Sequence, residues 1–263
     1  GMGSIYVAEH MDIGQRAAIK VLRAELSQEQ KYVQRFFQEA RAASAVAHPG
    51  LVKIFDFNQL ADGTLFLVME LLAGSSLWNR YEELAREGRW LSLQEAVRIT
   101  RRMASALTAV HQKGIIHRDL KPENVILVPD PDMEGGERPK LLDFGIAKMD
   151  NVGRKTTTGV VLGTPLYMSP EQCSGSEQLT DKVDVYALGA MLYEMLTSRT
   201  PFAAEDGSVV MRQHMFQPPP ALPPHVPKAV SALCLDMLAK DPTQRPSMAQ
   251  VVEHIERLDK KLS

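Results

Sequence analysis

The chain has 263 residues, of which 44% are hydrophobic and 24% charged, and its formal net charge is −2. This composition is ordinary for a globular protein, and so small a charge gives no electrostatic reason to expect a nucleic-acid partner. The two cysteines, Cys173 and Cys234, form no disulfide framework and indicate a reducing compartment such as the cytoplasm. No apolar run approaches the roughly 18 residues of a membrane helix, so no membrane segment is expected in this chain.

The first part of the chain predicts a small β-rich unit with one helix. β-Prone runs predict strands over 4–8, 16–22, 51–57 and 65–69, with an Asp-Gly hairpin turn before the last of them. Between the second and third strands, 27–46 predicts a helix that begins after a serine N-cap.

Beyond about residue 70 the pattern becomes helical. Apolar residues recur at helical spacing over 92–112 and predict an amphipathic helix there. Further helices are expected at 182–197, 227–239 and 246–260. Brief strands are expected at 125–128 and 140–142, and the proline-rich stretches 129–139 and 217–227 are expected to be loops. The result is an α+β architecture in which a β-rich lobe is followed by a helical lobe, with a cleft expected between them.

Two polar motifs lie between these lobes. Segment 117–124 reads His-Arg-Asp-Leu-Lys-Pro-Glu-Asn, and 143–145 reads Asp-Phe-Gly. Asp119 can accept the proton of an attacking hydroxyl, while Asn124 and Asp143 offer the hard oxygen ligands that suit Mg²⁺. Phosphoryl transfer needs an aligned nucleophile and positive charge around the γ-phosphate oxygens. The residue types and spacing therefore predict phosphoryl transfer.

The order of these motifs resembles the eukaryotic-like serine/threonine protein kinases over nearly the whole chain. Lys121, two residues after the base, is typical of kinases that phosphorylate serine and threonine rather than tyrosine. The phrases Gly-Met-Gly at 1–3 and Tyr-Met-Ser-Pro-Glu-Gln at 167–172 are similar to those of the bacterial branch. The resemblance implies ATP as the phosphoryl donor, Mg²⁺ with Mn²⁺ as an alternative, and protein substrates.

The resemblance also implies a bilobal kinase fold. It assigns 1–72 to the N-lobe, with a hinge at 69–74, and 73–263 to the helical C-lobe. The first strand and the start of the glycine-rich loop would lie upstream of residue 1. Within the C-lobe it places the catalytic loop at 117–124 and the activation segment at 143–171.

The same resemblance assigns the nucleotide site. Lys20 would pair with the α- and β-phosphates, and Glu39 on the following helix would hold that lysine in place. The backbones of Glu70 and Leu72 would contact adenine, and Met69 would stand at the back of the pocket. The full set expected around ATP is Gly3, Ile5, Ala18, Lys20, Met69, Glu70, Leu72 and Ile126.

Several further roles follow from the family pattern. Lys121 would contact the γ-phosphate, and Thr164 would hydrogen-bond near Asp119 and Lys121. Glu171 would pair with Arg245 to lock the helical lobe. Asp184 would tie down the backbone of the catalytic loop, and a simple helix-terminal charge is the alternative for this residue.

Regulation is expected in the activation segment. Thr156 and Thr158 are predicted sites of autophosphorylation, through a transient dimer, with Arg118 and Lys148 as the cations that receive the phosphate. Unmodified threonines in a polar loop are the alternative. Ser76 stands where some relatives carry an acid, so no strong demand for arginine upstream of the phosphorylated residue is expected.

Two other function classes stay open at this point. A pseudokinase scaffold usually lacks the strand lysine, the base or the metal aspartate, all of which are present here. Small-molecule kinases usually lack an activation segment that ends in Pro-Glu. The protein is expected in the cytoplasm, and its parent could be tethered to a membrane through regions outside this chain.

Overall fold

The structure is a computed structural model that describes residues 3–22, 33–34, 36–37, 41, 44–142 and 165–262. The strands are β1 Gly3–Glu9, β2 Arg16–Leu22, β3 Ile54–Gln59, β4 Leu65–Glu70, β5 Ser75–Ser76, β6 Val125–Pro129 and β7 Glu137–Leu141. The helices are α1 Leu77–Arg86, α2 Leu93–His111, α3 Pro170–Cys173, α4 Lys182–Thr197, α5 Gly207–Phe216, α6 Lys228–Met237 and α7 Met248–Leu262. Single 3₁₀ turns lie at 122–124 and 242–244.

The first lobe is built on an antiparallel sheet with strand order β1-β2-β4-β3. One face of β2 and β4 is buried, because apolar residues alternate along both strands. Two helical phenylalanines pack on Phe57, with ring centroids 5.5 Å from Phe36 and 4.2 Å from Phe37. This small core leaves the other face of the sheet toward solvent.

The predicted strands of this lobe are confirmed within about one residue at β1, β2 and β4. The third strand was placed too early, since it begins at Ile54 rather than at residue 51. The residues before it bond to β7 instead, with Val52 N donating to Leu141 O at 3.1 Å. Most of the predicted helix 27–46 lies outside the described residues. Its last described helical residue is Ser44, two residues short of the predicted end.

The second lobe packs around α4, which is buried on nearly all sides. Such a helix is surrounded by other elements rather than placed at the surface. Gly189 lets α6 approach closely, since a Cβ there would lie 2.8 Å from Met237 Cβ. Helix α2 begins with a capping box between Ser92 and Glu95 and packs on both α4 and α7. Among the described helices, none is long and apolar enough to cross a membrane.

Three local predictions for this lobe were wrong or missed. β7 begins at Glu137, inside a stretch predicted to be a loop, because Pro139 is tolerated on the edge strand of the sheet β5-β6-β7. Helices α1 and α5 were not predicted. The predicted helices at 92–112, 182–197, 227–239 and 246–260 are confirmed with small changes at their ends.

Candidate active site

The catalytic loop is held by a buried carboxylate at the start of α4. Asp184, only 1% exposed, accepts hydrogen bonds from the backbone N–H groups of His117 and Arg118, each at 2.8 Å. Arg118 has a φ of 66°, a left-handed conformation that costs energy for a residue other than glycine. The two bonds from Asp184 therefore stabilise the turn that precedes Asp119.

The charge of Asp184 is itself stabilised by histidine. His111 Nε2 lies 2.7 Å from Asp184 Oδ2. Burial alone would raise the pKa of Asp184, but the hydrogen bonds from the His111 side chain and the His117 backbone, with the electrostatic effect of the two imidazoles, hold this pKa below its ordinary value. The buried carboxylate is therefore ionised and accepts from several donors at once.

Replacing Asp184 with asparagine is expected to lower kcat by about 10²-fold, because misplacing catalytic groups by about 1 Å has an effect of this size. The amide offers one acceptor oxygen and turns an N–H group toward a backbone donor. Steady-state kinetics with ATP and a peptide would measure the loss. Asp236→Asn is the matched control, since this aspartate is exposed on helix α6. An unchanged kcat for Asp184→Asn would contradict the anchoring role.

The catalytic loop is also bonded to the strand end that leads to Asp143. His117 Nδ1 accepts from the Asp119 backbone at 3.4 Å, so Nε2 carries the proton and donates to Leu142 O at 2.8 Å. Leu142 N in turn donates to Asn124 O at 2.8 Å. The chain therefore enters residue 143 from a position fixed beside the catalytic loop, although Asp143 itself lies outside the described residues.

Asp119, Lys121 and Asn124 lie together at this loop. Asn124 Nδ2 donates to the Asp119 backbone oxygen at 2.8 Å and to Asp119 Oδ2 at 3.0 Å. Lys121 Nζ lies 3.9 Å from the same Oδ2. Since its amide nitrogen faces Asp119, Asn124 turns its amide oxygen in another direction, where it can meet a cation. The amide oxygen of Asn124, together with the carboxylate expected from Asp143, is the kind of ligand that Mg²⁺ prefers.

The sheet of the first lobe presents Lys20 next to an exposed apolar surface. Lys20 is nearly buried on β2 and lies opposite Ile5 and Leu67. Ile5 and Val7, on the same face, are 59% and 60% exposed. The exposed apolar side chains fit the base of a nucleotide. The buried lysine beside them fits its phosphates. Glu39, the predicted partner of Lys20, lies outside the described residues.

The hinge region contains an ion pair that the sequence reasoning missed. Lys140 Nζ on β7 contacts both carboxylate oxygens of Glu70, at 2.8 and 2.7 Å. The sequence analysis assigned Glu70 only a backbone contact with adenine, and no role for its side chain. The sequence shows Lys140 and Glu70 as charges next to apolar residues, but nothing in it indicates that the two pair. Ala18 and Met69 are buried opposite each other on β2 and β4, and Leu72 and Ile126 are partly exposed.

The segment from 165 onward is joined to the catalytic loop and to the helical lobe. Gln172 Nε2 donates to Arg118 O at 2.9 Å, a contact the sequence reasoning missed. Arg245 makes the ion pair expected with Glu171. Its Nη1 donates to Glu171 Oε1 at 2.7 Å, and its Nη2 donates to Glu171 Oε2 at 2.8 Å. The other predicted residues of the activation segment, Thr156, Thr158, Lys148 and Thr164, lie outside the described residues.

Tyr167 and Glu194 form a further buried contact in this segment. The Tyr167 hydroxyl donates to Glu194 Oε2 at 2.7 Å. Burial raises the pKa of Glu194 to about 7, although the bond from Tyr167 opposes the shift, and the charge of Glu123 adds to it. Burial likewise raises the pKa of Tyr167, so its hydroxyl stays protonated.

Glu194 is expected to make the domain less stable as pH rises. A carboxyl with a raised pKa contributes its full stability below the unfolded pKa of 4.5 and loses it as pH rises through about 7. Glu194→Gln should remove this loss, so at pH 8 the variant should be more stable by up to about 3 kcal/mol. Urea denaturation from pH 5 to pH 8 would measure the difference. Glu253→Gln, on an exposed helix face, should leave the pH profile unchanged, and parallel profiles for Glu194→Gln and the original chain would contradict the prediction.

Comparison with known proteins identifies the family. The family model described as "Protein kinase domain" matches residues 1–255. This chain belongs to the protein kinase family. The match confirms the predicted bilobal α+β fold and the kinase class of enzyme for this domain.

Several similar kinases come from bacteria. This kinase domain is 38% identical to "Serine/threonine-protein kinase pkn3" of Myxococcus xanthus, over 99% of the chain and 48% of the relative. It is 37% identical to "Serine/threonine-protein kinase PknA" of Mycobacterium tuberculosis, over 93% of the chain and 55% of the relative. It is 36% identical to "Serine/threonine-protein kinase PrkC" of Bacillus subtilis, over 96% of the chain and 38% of the relative. These matches confirm the predicted bacterial branch, and the kinase domain spans about half the length of these relatives or less.

Proposed function

We propose that this kinase domain transfers the γ-phosphoryl group of ATP to serine and threonine hydroxyls of proteins. The observation that carries the proposal is the cluster of Asp119, Lys121 and Asn124 on a loop anchored by Asp184. The three relatives named above are all serine/threonine-protein kinases, which supports the choice of acceptor.

The residues divide the reaction between them. The oxygen of the substrate hydroxyl forms a bond to the γ-phosphorus while the bond between that phosphorus and ADP breaks. Asp119 Oδ accepts the proton that the hydroxyl loses. Lys121 is placed to balance negative charge beside Asp119, and Lys20 binds the α- and β-phosphates. Asn124, with Asp143, would hold Mg²⁺ or Mn²⁺, which when bound neutralises charge on the phosphates.

The acceptor is tested by phosphoamino-acid analysis. The chain is incubated with radiolabelled ATP, Mg²⁺ and a mixed protein substrate, and labelled residues are then separated. Label on phosphoserine and phosphothreonine is expected, and label confined to phosphotyrosine would overturn the proposal. Binding of ATP without any transfer would favour the pseudokinase alternative.

Autophosphorylation at Thr156 and Thr158, and their recognition by Arg118 and Lys148, form part of the proposal. Mass spectrometry after incubation with ATP should find phosphate at these threonines, and an unmodified segment would contradict it. The transient dimer, the cytoplasmic location, the lobe boundaries 1–72 and 73–263, and the role of Thr164 stay predictions.

Ser76 supports the expected tolerance of substrates without upstream arginine. Its hydroxyl accepts from Asn79 N at 3.1 Å and caps α1, so it offers no carboxylate to a basic peptide. A peptide library should show no strong selection for arginine upstream of the acceptor. Strong selection there would show that another acid performs this role.

A further inference from the structure

A cavity of about 230 Å³ lies between α1, the segment before α2 and the C-terminal end of α4. Its apolar walls include Trp78, Trp90, Leu91 and Met195. A dry apolar cavity of about 150 Å³ is enough to bind benzene in another protein. This cavity therefore has room for a substituted six-membered ring.

Two polar groups in the cavity wall could accept further hydrogen bonds. The hydroxyl oxygen of Tyr81 is buried and, within the part of the chain that the structure describes, has no hydrogen-bond partner. Glu194 accepts from Tyr167, but no cation among the described residues pairs with it, and Glu123 is a like charge nearby. Buried polar groups in folded proteins are normally hydrogen-bonded, so this combination points to a missing donor.

The chemistry of the walls defines that donor. A carboxylate and a phenol oxygen both accept hydrogen bonds from an ammonium group, and tryptophan faces attract cations. Glu82 also lines the cavity, but its charge is paired with Arg86 at 3.3 Å, so Glu194 is the acid left to receive a ligand cation. The apolar residues suit a ring rather than a long polar chain.

We propose that this cavity binds a small molecule that carries a primary ammonium group on a single-ring apolar body. The ring packs against Trp78, Trp90 and Leu91, and the ammonium donates to Glu194 and Tyr81. Through the Tyr167–Glu194 bond, the ligand contacts the residue pair that joins α4 to the segment before α3. Asp119, Lys121 and Asn124 do not line the cavity, and the test of this site does not require the proposed phosphoryl transfer.

Intrinsic fluorescence can report on this site directly. The chain has two tryptophans, Trp78 and Trp90, and both line the cavity. The full chain is titrated with para-tert-butylbenzylamine, and then with the neutral para-tert-butylbenzyl alcohol. A sub-millimolar Kd is expected for the amine, and binding about tenfold weaker for the alcohol, because a charge-assisted hydrogen bond is lost. Calorimetry checks each Kd independently.

Variants connect the signal to the named residues. Glu194→Gln keeps an acceptor for Tyr167 and should weaken the amine about tenfold while leaving the alcohol unchanged. Ala85→Phe fills the cavity and should weaken both probes, and denaturation curves check that each variant is folded. Glu87→Gln, an exposed acid outside the cavity, should have no effect. Equal affinity for the two probes, an unaffected Glu194→Gln, or binding of neither probe would overturn the proposal.

Discussion

Asp119→Asn is expected to lower kcat for phosphoryl transfer by about 10²- to 10⁴-fold, the range that a positioned general base contributes. Asparagine has nearly the same shape, but its amide cannot take a proton from the substrate hydroxyl. Its oxygen can still accept the bond that Asn124 Nδ2 gives to Asp119 Oδ2 in the present chain. The loop should therefore keep its shape, and ATP affinity should change little.

Initial rates with radiolabelled ATP and a peptide acceptor would measure this effect, and calorimetry would measure ATP binding. Asp132→Asn is the matched control, because this aspartate is exposed in the loop between β6 and β7. Asp119→Asn with full activity would remove Asp119 from the role of base. Loss of ATP affinity equal to the loss of rate would point to a damaged fold instead.

Arg245→Met is expected to destabilise the domain by about 3 to 5 kcal/mol, because it leaves the mostly buried carboxylate of Glu171, 14% exposed, without its partner. The Arg245 side chain is 0% exposed, and all its N–H groups donate. Besides Glu171 they reach three backbone oxygens, those of Ala239, Lys182 and Lys240. One side chain therefore joins α3, α4 and the turn before α7.

Chemical denaturation of the two proteins would measure this loss. Arg257→Met is the control, since Arg257 makes an exposed i,i+4 pair with Glu253 and should change stability by less than about 0.5 kcal/mol. The double variant Glu171→Gln with Arg245→Met should recover part of the stability, because no charge is then left unpaired. A double variant no more stable than Arg245→Met alone would show that the backbone contacts, not the ion pair, dominate.

The kinase fold could be predicted from sequence because its signals are local and strong. Helix α2 has an unbroken apolar stripe and a serine–glutamate capping box, so both its type and its first residue could be predicted. The family motif similarly located Asp119 and Asn124, and the carboxylate of Asp184 lies where the resemblance placed it.

Features that depend on pairing between distant segments could not be predicted in this way. β7 contains Pro139, which indicates a loop in isolation and is tolerated only because the strand lies at a sheet edge. Helix α1 is a different case, because it is amphipathic and begins after the N-cap Ser76, so a local signal for it was present and was missed. The Lys140–Glu70 and Gln172–Arg118 contacts join residues 70 and 54 positions apart, and no spacing rule connects them.

The contacts behind the hinge determine how the cleft can open. The Lys140–Glu70 ion pair and the backbone bonds of Leu141 to Gly50 and Val52 connect the two lobes along one edge. A motion that keeps these bonds must rotate about that edge, so the separation of the lobes grows with distance from it. The region beside Met69 moves little, while the region around Lys20 opens more widely. If ATP binds as proposed, with its base near Met69 and its phosphates near Lys20, a departing nucleotide would free its phosphates before its base.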